Sequence, residues 1–319
     1  MYTLLLIVVT LVISLIITPI IIKVSFKFNL VDRPNYRKVH TKPVSVMGGT
    51  VILLSFLIGL WLGHPLERAV KPLVIGLIIM YFVGIIDDIY DLKPILKLIG
   101  QIIAASVVVF YGITIDFISF PIGPTILSIP FTIIWIVAIT NAINLIDGLD
   151  GLASGVSVIG LTTIGFIAIL QGNVFIIMIC SLLIGALLGF LFFNFHPASI
   201  FLGDSGALMI GFIIGFLSLL GFKNITFISL FFPIVTLAVP FIDTLFAMIR
   251  RVRNGQHIMQ ADKSHLHHKL LALGYTHRQT VLLIYSIAIM FSLSSIILYL
   301  SQPLGVLLMF ILIVITIEL

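Results

Sequence analysis

Long apolar runs separated by short polar breaks dominate the chain. Eleven of these runs approach the roughly 20 residues that an α-helix needs to cross a bilayer. They lie at residues 2–22, 46–63, 70–86, 95–113, 129–143, 152–170, 174–193, 206–222, 226–249, 280–300 and 303–319. The pattern predicts an all-α polytopic integral membrane protein with about eleven transmembrane helices, in which residues 1–319 form a single transmembrane domain.

The composition excludes the soluble classes of protein. Of the 319 residues, 61% are hydrophobic and only 9% are charged, whereas soluble globular domains carry about 25% charged residues. A soluble enzyme is therefore excluded, and so is an intrinsically disordered chain, which requires low hydrophobicity. Because Cys180 is the only cysteine, a disulfide framework and a cysteine-based metal site are excluded as well.

The basic residues predict the orientation in the membrane, because Lys and Arg accumulate on the cytoplasmic side of membrane proteins. No Lys or Arg precedes the first apolar run. With the N-terminus outside and the C-terminus in the cytoplasm, all basic residues except Arg68, Lys71 and Lys223 fall on the cytoplasmic side. The cytoplasmic connections are then 23–45, 87–94, 144–151, 194–205 and 250–279, and they contain nearly all of the polar chemistry.

The first polar cluster is the sequence GIIDDIYDLKPILK at the end of the third run. Asp87 and Asp88 are adjacent carboxylates at a membrane boundary, where like charges repel unless a cation offsets them. Pro94 suits the first turn of the next helix. It places Lys97 near the N-terminus of that helix, where the helix dipole and the ammonium attract phosphate. A solvated helix cap is the alternative interpretation, but Lys97 beside the acids favours a functional site.

The second cluster is NAINLIDGLDGLASG at the end of the fifth run. Its polar residues recur at every third position, at Asn141, Asn144, Asp147 and Asp150. Three successive members share one face of a helix, and the glycines that follow indicate that the helix opens there. Converging amide and carboxylate oxygens are typical of a site for Mg²⁺ or a nucleotide. The alternative is an Asn/Asp/Gly turn between two helices.

The third cluster is FFNFHPASIFLGDSG, between the seventh and eighth runs. Asp204 lies just before an apolar helix and, considered alone, suits a helix cap. Beside the oxygen ligands of the second cluster it is also a candidate ligand for a cation. Phe201, three residues earlier, is an aromatic side chain that can stack on a nucleobase.

The fourth cluster is the basic connection 250–279, which contains RRVRNG and KSHLHHK. Its candidate residues are Arg251, His265, His267 and His268. The H-x-H-H spacing suggests zinc, but no cysteine or nearby glutamate completes a tetrahedral ligand set. Imidazole and guanidinium groups together favour a clamp for a diphosphate.

In this order, the motifs DD-x-x-D, N-x-x-N-x-x-D-G-x-D-G, G-D-x-G and H-x-H-H resemble the polyprenyl-phosphate N-acetylhexosamine-1-phosphate transferases over essentially the whole chain. The resemblance implies transfer of a sugar 1-phosphate from a UDP-sugar to a lipid phosphate, with release of UMP. It also implies dependence on Mg²⁺, for which Mn²⁺ can substitute, and a site on the cytoplasmic face of the plasma membrane. The product would initiate a cell-envelope glycan such as a teichoic acid or an O-antigen.

The same resemblance implies roles for individual residues. Asn144 and Asp204 match metal-binding positions, and Lys97 matches a lysine that contacts the phosphate of the lipid acceptor. Asp87 and Asp88 match the essential acidic pair, with Asp88 the usual candidate for deprotonating or orienting the acceptor. The residues assigned to the nucleotide sugar are Asn141, Asp147, Asp150, Phe201, Arg251, His265, His267 and His268.

The last motif also implies a choice of sugar. The patterns D-K-x-H-x-H-H, at 262–268, and R-R-x-R-x-G, at 250–255, resemble the branch that uses UDP-N-acetylglucosamine with undecaprenyl phosphate. The branch that uses UDP-N-acetylmuramoyl-pentapeptide typically has three consecutive histidines instead. Another UDP-hexosamine stays open as the donor, because it can differ at a single hydroxyl.

Two other functional classes compete with the transferase. A transporter places ionisable groups near the midplane of the membrane, whereas here they lie at one face apart from Asp243. A membrane-bound scaffold protein does not need polar residues that converge at one face of the membrane.

The expected partners are UDP-N-acetylglucosamine, undecaprenyl phosphate and membrane lipids, with no nucleic acid, and a homodimer stays open. Both a covalent aspartyl intermediate and direct attack by the lipid phosphate also stay open, with direct attack favoured because the phosphate oxygen is already anionic.

Overall fold

The apolar runs that the structure describes fold into helices. This computed structural model describes residues 2–33, 43–115, 124–221, 237–239, 242 and 266–318. The helices are α1 (Tyr2–Lys27), α2 (Gly48–Gly63), α3 (Val70–Tyr90), α4 (Pro94–Phe110), α5 (Pro124–Ile146), α6 (Leu152–Gln171), α7 (Val174–Asn194), α8 (Gly203–Gly221), α9 (Leu266–Ala272), α10 (His277–Leu300) and α11 (Gln302–Glu318). Two short strands, β1 (Val31–Asp32) and β2 (Val44–Ser45), pair antiparallel between α1 and α2.

Ten of the eleven predicted spans coincide with helices in the described part of the chain, with boundaries that differ by a few residues. Seven of these helices are long and apolar enough to cross a membrane, and α2, α4 and α11 are shorter apolar helices. The ninth predicted span, 226–249, lies outside the described residues apart from 237–239 and 242. The chain is therefore an all-α polytopic membrane protein, with one small strand pair that the sequence pattern did not predict.

Helix α8 lies at the centre of the helical bundle. It packs against α5, α3 and α2, while α7 packs against α1 and α6, and α10 packs against α6 and α11. Phe212 and Phe216 of α8 are fully buried. By contrast, outward-facing side chains on α1 and α11, such as Leu5, Ile16 and Phe310, are exposed. Apolar side chains on the periphery of a helical bundle are what a lipid environment requires.

Helices α3 and α8 approach each other closely because α3 carries Gly84 at their contact. A Cβ atom at Gly84 would lie 2.3 Å from the Cα of Ser205, a separation that no real side chain tolerates. Small residues permit this kind of backbone approach between membrane helices, where van der Waals packing drives association. The contact brings the last turn of α3, with Asp87 and Asp88, against the first turn of α8.

The same end of the bundle collects the other polar connections. The backbone N–H of Phe201 donates to the carbonyl of Ser45 at 2.8 Å, and the N–H of Gly48 donates to the carbonyl of Phe201 at 3.1 Å. These hydrogen bonds attach the segment before α8 to the junction between β2 and α2. The ends of α3, α5 and α7 and the beginnings of α4, α6 and α8 thereby lie at one face of the bundle.

Candidate active site

Lys97 stands between two carboxylates that come from different helices. Its Nζ lies 2.5 Å from Oδ2 of Asp87, in the last turn of α3, and 3.1 Å from Oδ2 of Asp204, in the first turn of α8. Pro94 begins α4, as the sequence predicts, and so places Lys97 in the first turn of that helix. Because two carboxylates share one ammonium, the formal charge of the cluster is negative and attracts a further cation.

This cluster is closed to water on one side and open on the other. The side chain of Asp87 is only 3% exposed, whereas those of Lys97 and Asp204 are 23% and 29% exposed. Asp87 is held further by the backbone N–H of Leu92, which donates to its Oδ1 at 2.8 Å. A carboxylate buried to this extent is costly unless it is paired and hydrogen-bonded. Asp87 therefore anchors the cluster, and Lys97 and Asp204 form its accessible edge.

The side chain of Asp88 caps helix α8. Its two carboxylate oxygens accept backbone hydrogen bonds from Asp204 at 2.7 Å and from Ser205 at 3.1 Å. A carboxylate in this position satisfies unpaired N–H groups and complements the positive end of the helix dipole. Gly203 permits the approach, because it has a φ of +72° and a Cβ there would lie 2.8 Å from Oδ2 of Asp88. The geometry makes Asp88 a residue that fixes the position of Asp204.

Asn144 completes the cluster from the last turn of α5. Its Nδ2 donates to Oδ1 of Asp204, so the two residues that match metal-binding positions are in direct contact. The amide oxygen of Asn144 and the carboxylates of Asp204 and Asp87 are hard oxygen donors, the ligand type that Mg²⁺ prefers. The donor set and the net negative charge both fit the predicted Mg²⁺.

Asp147 follows the end of α5 at Ile146, where the sequence predicts that the helix opens. Burial is the main cause that raises the pKa of the Asp147 carboxyl well above its usual range. The negative charges of Asp204, Asp88 and Asp150 raise this pKa further. A cation bound nearby would oppose these charges and lower the pKa again. Asp147 is thus electrostatically part of the same site.

Asp150 occupies the same turn and is tied to the connection between α7 and α8. Its Oδ2 lies 2.8 Å from Nδ1 of His196 and accepts a backbone hydrogen bond from Ala198 at 3.2 Å. Asn194 reinforces the attachment, because its Oδ1 accepts from the backbone N–H of Gly151 at 3.1 Å. The turn that carries Asp147 and Asp150 is therefore fixed to the segment that leads to Asp204.

Asn141 and Phe201 occupy the margins of this site. Asn141 lies deeper in the bundle on α5, where its amide exchanges two hydrogen bonds with Gln101 of α4, at 2.6 and 3.2 Å. Asn141 thus links two helices below the cluster. Phe201 is half-buried, and its backbone is fixed by the hydrogen bonds to Ser45 and Gly48.

Part of the predicted diphosphate clamp lies outside the described residues. Arg251 and His265 belong to this part. His267 and His268 lie on the short helix α9, of which only the backbone is described at these positions. Helix α9 packs against α10, and α10 reaches the Asp150 turn through a hydrogen bond from Nε of Arg278 to the carbonyl of His196, at 3.0 Å.

His196, His277 and Arg278 were not among the candidates that the sequence suggested. His196 belongs to the third cluster, FFNFHPASIFLGDSG, in which Asp204 and Phe201 were the candidate residues. For His277 and Arg278 the sequence does contain a signal. Thr276 followed three residues later by Gln279 is a capping-box pattern, which predicts that a helix begins at His277. The structure has this capping box at the beginning of α10, which places His277 and Arg278 at the end of the bundle that holds the site.

Comparisons with known proteins find relatives that match most of the chain. The sequence model of glycosyl transferase family 4 matches residues 71–222. A probable undecaprenyl-phosphate N-acetylglucosaminyl 1-phosphate transferase of Bacillus subtilis is 46% identical over 298 residues, which cover 91% of this chain and 83% of the relative. A decaprenyl-phosphate N-acetylglucosaminephosphotransferase of Mycolicibacterium smegmatis is 36% identical over 82% of this chain and 73% of the relative. A phospho-N-acetylmuramoyl-pentapeptide-transferase of Streptococcus uberis is 34% identical over 62% of this chain and 68% of the relative.

Proposed function

Because the chain belongs to glycosyl transferase family 4, we propose that it transfers N-acetylglucosamine 1-phosphate from UDP-N-acetylglucosamine to a polyprenyl phosphate. UMP is the second product. The observation that carries the proposal is Lys97 shared between Asp87 and Asp204, with Asn144 in contact with Asp204, at one end of a membrane bundle. The names of the N-acetylglucosamine-transferring relatives support the reaction and the sugar. The relative named for a muramoyl-pentapeptide donor matches a smaller share of the chain, 62%, so this donor is not favoured, and neither is a transporter.

The chemical difficulty of this reaction is that two anions must meet. An oxygen of the acceptor phosphate forms a bond to the phosphorus that carries the sugar. The bond from this phosphorus to the bridging oxygen of the diphosphate breaks, and UMP leaves with that oxygen. Positioning and charge neutralisation supply most of the catalysis in such transfers. Direct attack requires no covalent aspartyl intermediate, because the attacking phosphate oxygen is already anionic near neutral pH.

The residues of the cluster divide this work. Lys97, at the accessible edge, is the cation that the acceptor phosphate meets, and Asp87 orients it. Asn144 and Asp204 would hold Mg²⁺, with Asp88 fixing the backbone that carries Asp204. When bound, Mg²⁺ supplies charge neutralisation on the donor diphosphate.

The donor occupies the adjoining surface in this proposal. Asp147, Asp150 and Phe201 are the candidates for the nucleoside, since their segments adjoin Asp204. The basic connection 250–279 supplies the charges for the diphosphate. The site faces the cytoplasm at the inner membrane, where soluble UDP-sugars and a membrane-embedded acceptor meet, and the excess of basic residues in the cytoplasmic connections supports this orientation.

A competition between donors tests the proposed reaction. The purified protein is given undecaprenyl phosphate, Mg²⁺ and equal concentrations of UDP-N-acetylglucosamine, UDP-N-acetylgalactosamine and UDP-N-acetylmuramoyl-pentapeptide. We expect UMP release and a lipid product in which N-acetylglucosamine exceeds either other sugar by at least about tenfold, as a site that hydrogen-bonds a hydroxyl can achieve. Preference for the pentapeptide donor contradicts the choice of branch, equal use of the two simple hexosamines contradicts the choice of sugar, and no UMP contradicts the function.

Labelling of introduced cysteines tests the orientation. The native Cys180 is buried, so it contributes little background. A cysteine at Asn254, in connection 250–279, should resist a membrane-impermeant thiol reagent in intact cells and react after the membrane is opened. The matched control is Glu67→Cys, in an exposed turn predicted to be outside, which should react in intact cells. The reverse pattern would overturn the cytoplasmic location of the site.

A further inference from the structure

Three segments meet around the carboxylate of Asp150, and two of them contribute histidines. His196 follows the end of α7, and its Nδ1 lies 2.8 Å from Oδ2 of Asp150. His277 is the first residue of α10, and its ring stacks on that of His196, with a centroid separation of 4.1 Å and an interplanar angle of 15°. The side chains of His196 and Asp150 are 35% and 17% exposed. The side chain of His196 is therefore partly accessible to solvent, and that of Asp150 is more enclosed.

The contacts of Asp150 use only one of its two oxygens. Nδ1 of His196 and the backbone N–H of Ala198 both lie against Oδ2. Among the described residues, no hydrogen bond to Oδ1 is present. A carboxylate held by one oxygen presents the other in a fixed direction, and a donor group of a ligand can be recognised there.

The stacked ring of His277 fixes the plane of His196. A face-to-face contact between imidazoles restricts rotation of the His196 ring about its side-chain bonds. The hydrogen bond from Nε of Arg278 to the carbonyl of His196 fixes the backbone of the same residue. The hydroxyl of Tyr285, two turns further along α10, donates to the carbonyl of Gly151. Helix α10 therefore contacts both His196 and the turn that carries Asp150.

A metal ion is the other function that two histidines and an aspartate can serve. Their ligand atoms lie within 4.8 Å of one another, but a metal needs lone pairs that converge on one point. The lone pairs of an imidazole lie in the plane of its ring, and the rings of His196 and His277 are almost parallel, so their lone pairs do not converge. Nδ1 of His196 is also already in contact with Asp150. The geometry favours hydrogen bonding over coordination.

We propose that His196, backed by the ring of His277, is a positioning residue that holds the Asp150 carboxylate in place for the uridine of the donor. This inference rests on the proposed function, which supplies the nucleotide. Uracil and ribose both carry N–H or O–H donors that suit a carboxylate oxygen. Because His277 begins the helix in which the basic connection 250–279 ends, the same contacts join the nucleoside end of the site to the segment proposed for the diphosphate.

Two substitutions at His196 separate hydrogen bonding from packing. His196→Phe keeps a ring that can stack on His277 and removes the donor, whereas His196→Asn keeps an N–H near the position of Nδ1 and removes most of the ring. We expect His196→Phe to weaken UMP binding and to raise the KM for UDP-N-acetylglucosamine by about tenfold, the usual effect of losing a hydrogen bond to a charged group. The kcat and the KM for undecaprenyl phosphate should stay within about twofold. His196→Asn should remain within about threefold of the unsubstituted enzyme in all four quantities.

Calorimetric titration of the purified enzymes with UMP, together with steady-state kinetics, measures these effects. The opposite order, with His196→Asn impaired and His196→Phe normal, would mean that the ring only packs and would overturn the proposal. Equal donor KM values in all three enzymes would overturn it too. Elemental analysis that finds a stoichiometric transition metal, lost in both variants, would assign the cluster to coordination instead. Failure of the unsubstituted enzyme to bind UMP or release it contradicts the proposed function itself, and is distinguishable because no substitution is involved.

Discussion

Replacing Asp204 by asparagine is expected to lower turnover by about two to three orders of magnitude, the usual loss when a group that stabilises charge in the transition state is removed. Asp204 contacts both Lys97 and Asn144. The substitution keeps the shape of the side chain but removes its charge, so the cluster loses the negative charge that would hold Mg²⁺. Release of UMP, measured across a range of Mg²⁺ concentrations, should show lower kcat and a requirement for more Mg²⁺.

The fold should survive this change, because the backbone N–H of residue 204 still donates to Asp88. The matched control is Glu67→Gln, which also converts an acid to its amide but at an exposed turn between α2 and α3. It should leave activity and thermal unfolding unchanged. Near-normal turnover of Asp204→Asn at low Mg²⁺ would refute the metal role of Asp204.

The helices were predictable because the membrane imposes a simple rule on the sequence. A spanning segment must satisfy its backbone internally and expose apolar side chains to lipid. Each of the ten apolar runs that the structure describes therefore corresponds to one helix. Chemistry was predictable for a related reason, since polar residues in an apolar chain are costly unless they have a function. Asp87, Lys97, Asn144 and Asp204 stood out on this ground, and the structure brings them together.

The partners of the polar residues were not predictable, because adjacency in sequence carries no information about direction. Asp87 and Asp88 follow one another, yet successive residues on a helix point about 100° apart. One carboxylate therefore meets Lys97, and the other meets the backbone of α8. The donors to Asp88 are main-chain N–H groups, which every residue has, so no side-chain motif marks them. The family resemblance implies that Asp88 deprotonates or orients the acceptor, and this role stays a prediction. The structure adds a contact that the resemblance did not imply, the cap on α8.

The strand pair and the ring contact between His196 and His277 could not be predicted from the sequence, for a different reason. β1 and β2 each have two residues, too few for an alternating pattern to be recognised. His196 and His277 are 81 positions apart, as their numbers give, and their contact depends on how α10 packs against α6. Such a contact follows from the tertiary fold and leaves no local pattern in the sequence.

Replacing Lys97 by methionine is expected to lower turnover by about two to three orders of magnitude as well, but with the opposite effect on metal binding. The ammonium lies 2.5 Å from Asp87 and 3.1 Å from Asp204, so it competes with any other cation for these carboxylates. Its removal leaves the two carboxylates with hydrogen bonds from Leu92 and Asn144 but without the positive charge of the ammonium. Mn²⁺ serves as a paramagnetic probe for the Mg²⁺ site. Coulomb's law at these distances predicts that the affinity of the variant for Mn²⁺ rises by about tenfold or more.

The two substitutions therefore distinguish the roles of the two residues. Asp204→Asn should lose both turnover and Mn²⁺ affinity, whereas Lys97→Met should lose turnover while it binds Mn²⁺ more tightly, as relaxation measurements on the purified variants would record. Lys93→Met is the matched control, because Lys93 is an exposed lysine four positions earlier, at the N-cap of α4, and it should change neither quantity. If Lys97→Met loses Mn²⁺ affinity together with turnover, Lys97 maintains the metal site and is not the cation that meets the acceptor phosphate. The division of the cluster into a phosphate-binding lysine and a metal-binding edge is then wrong.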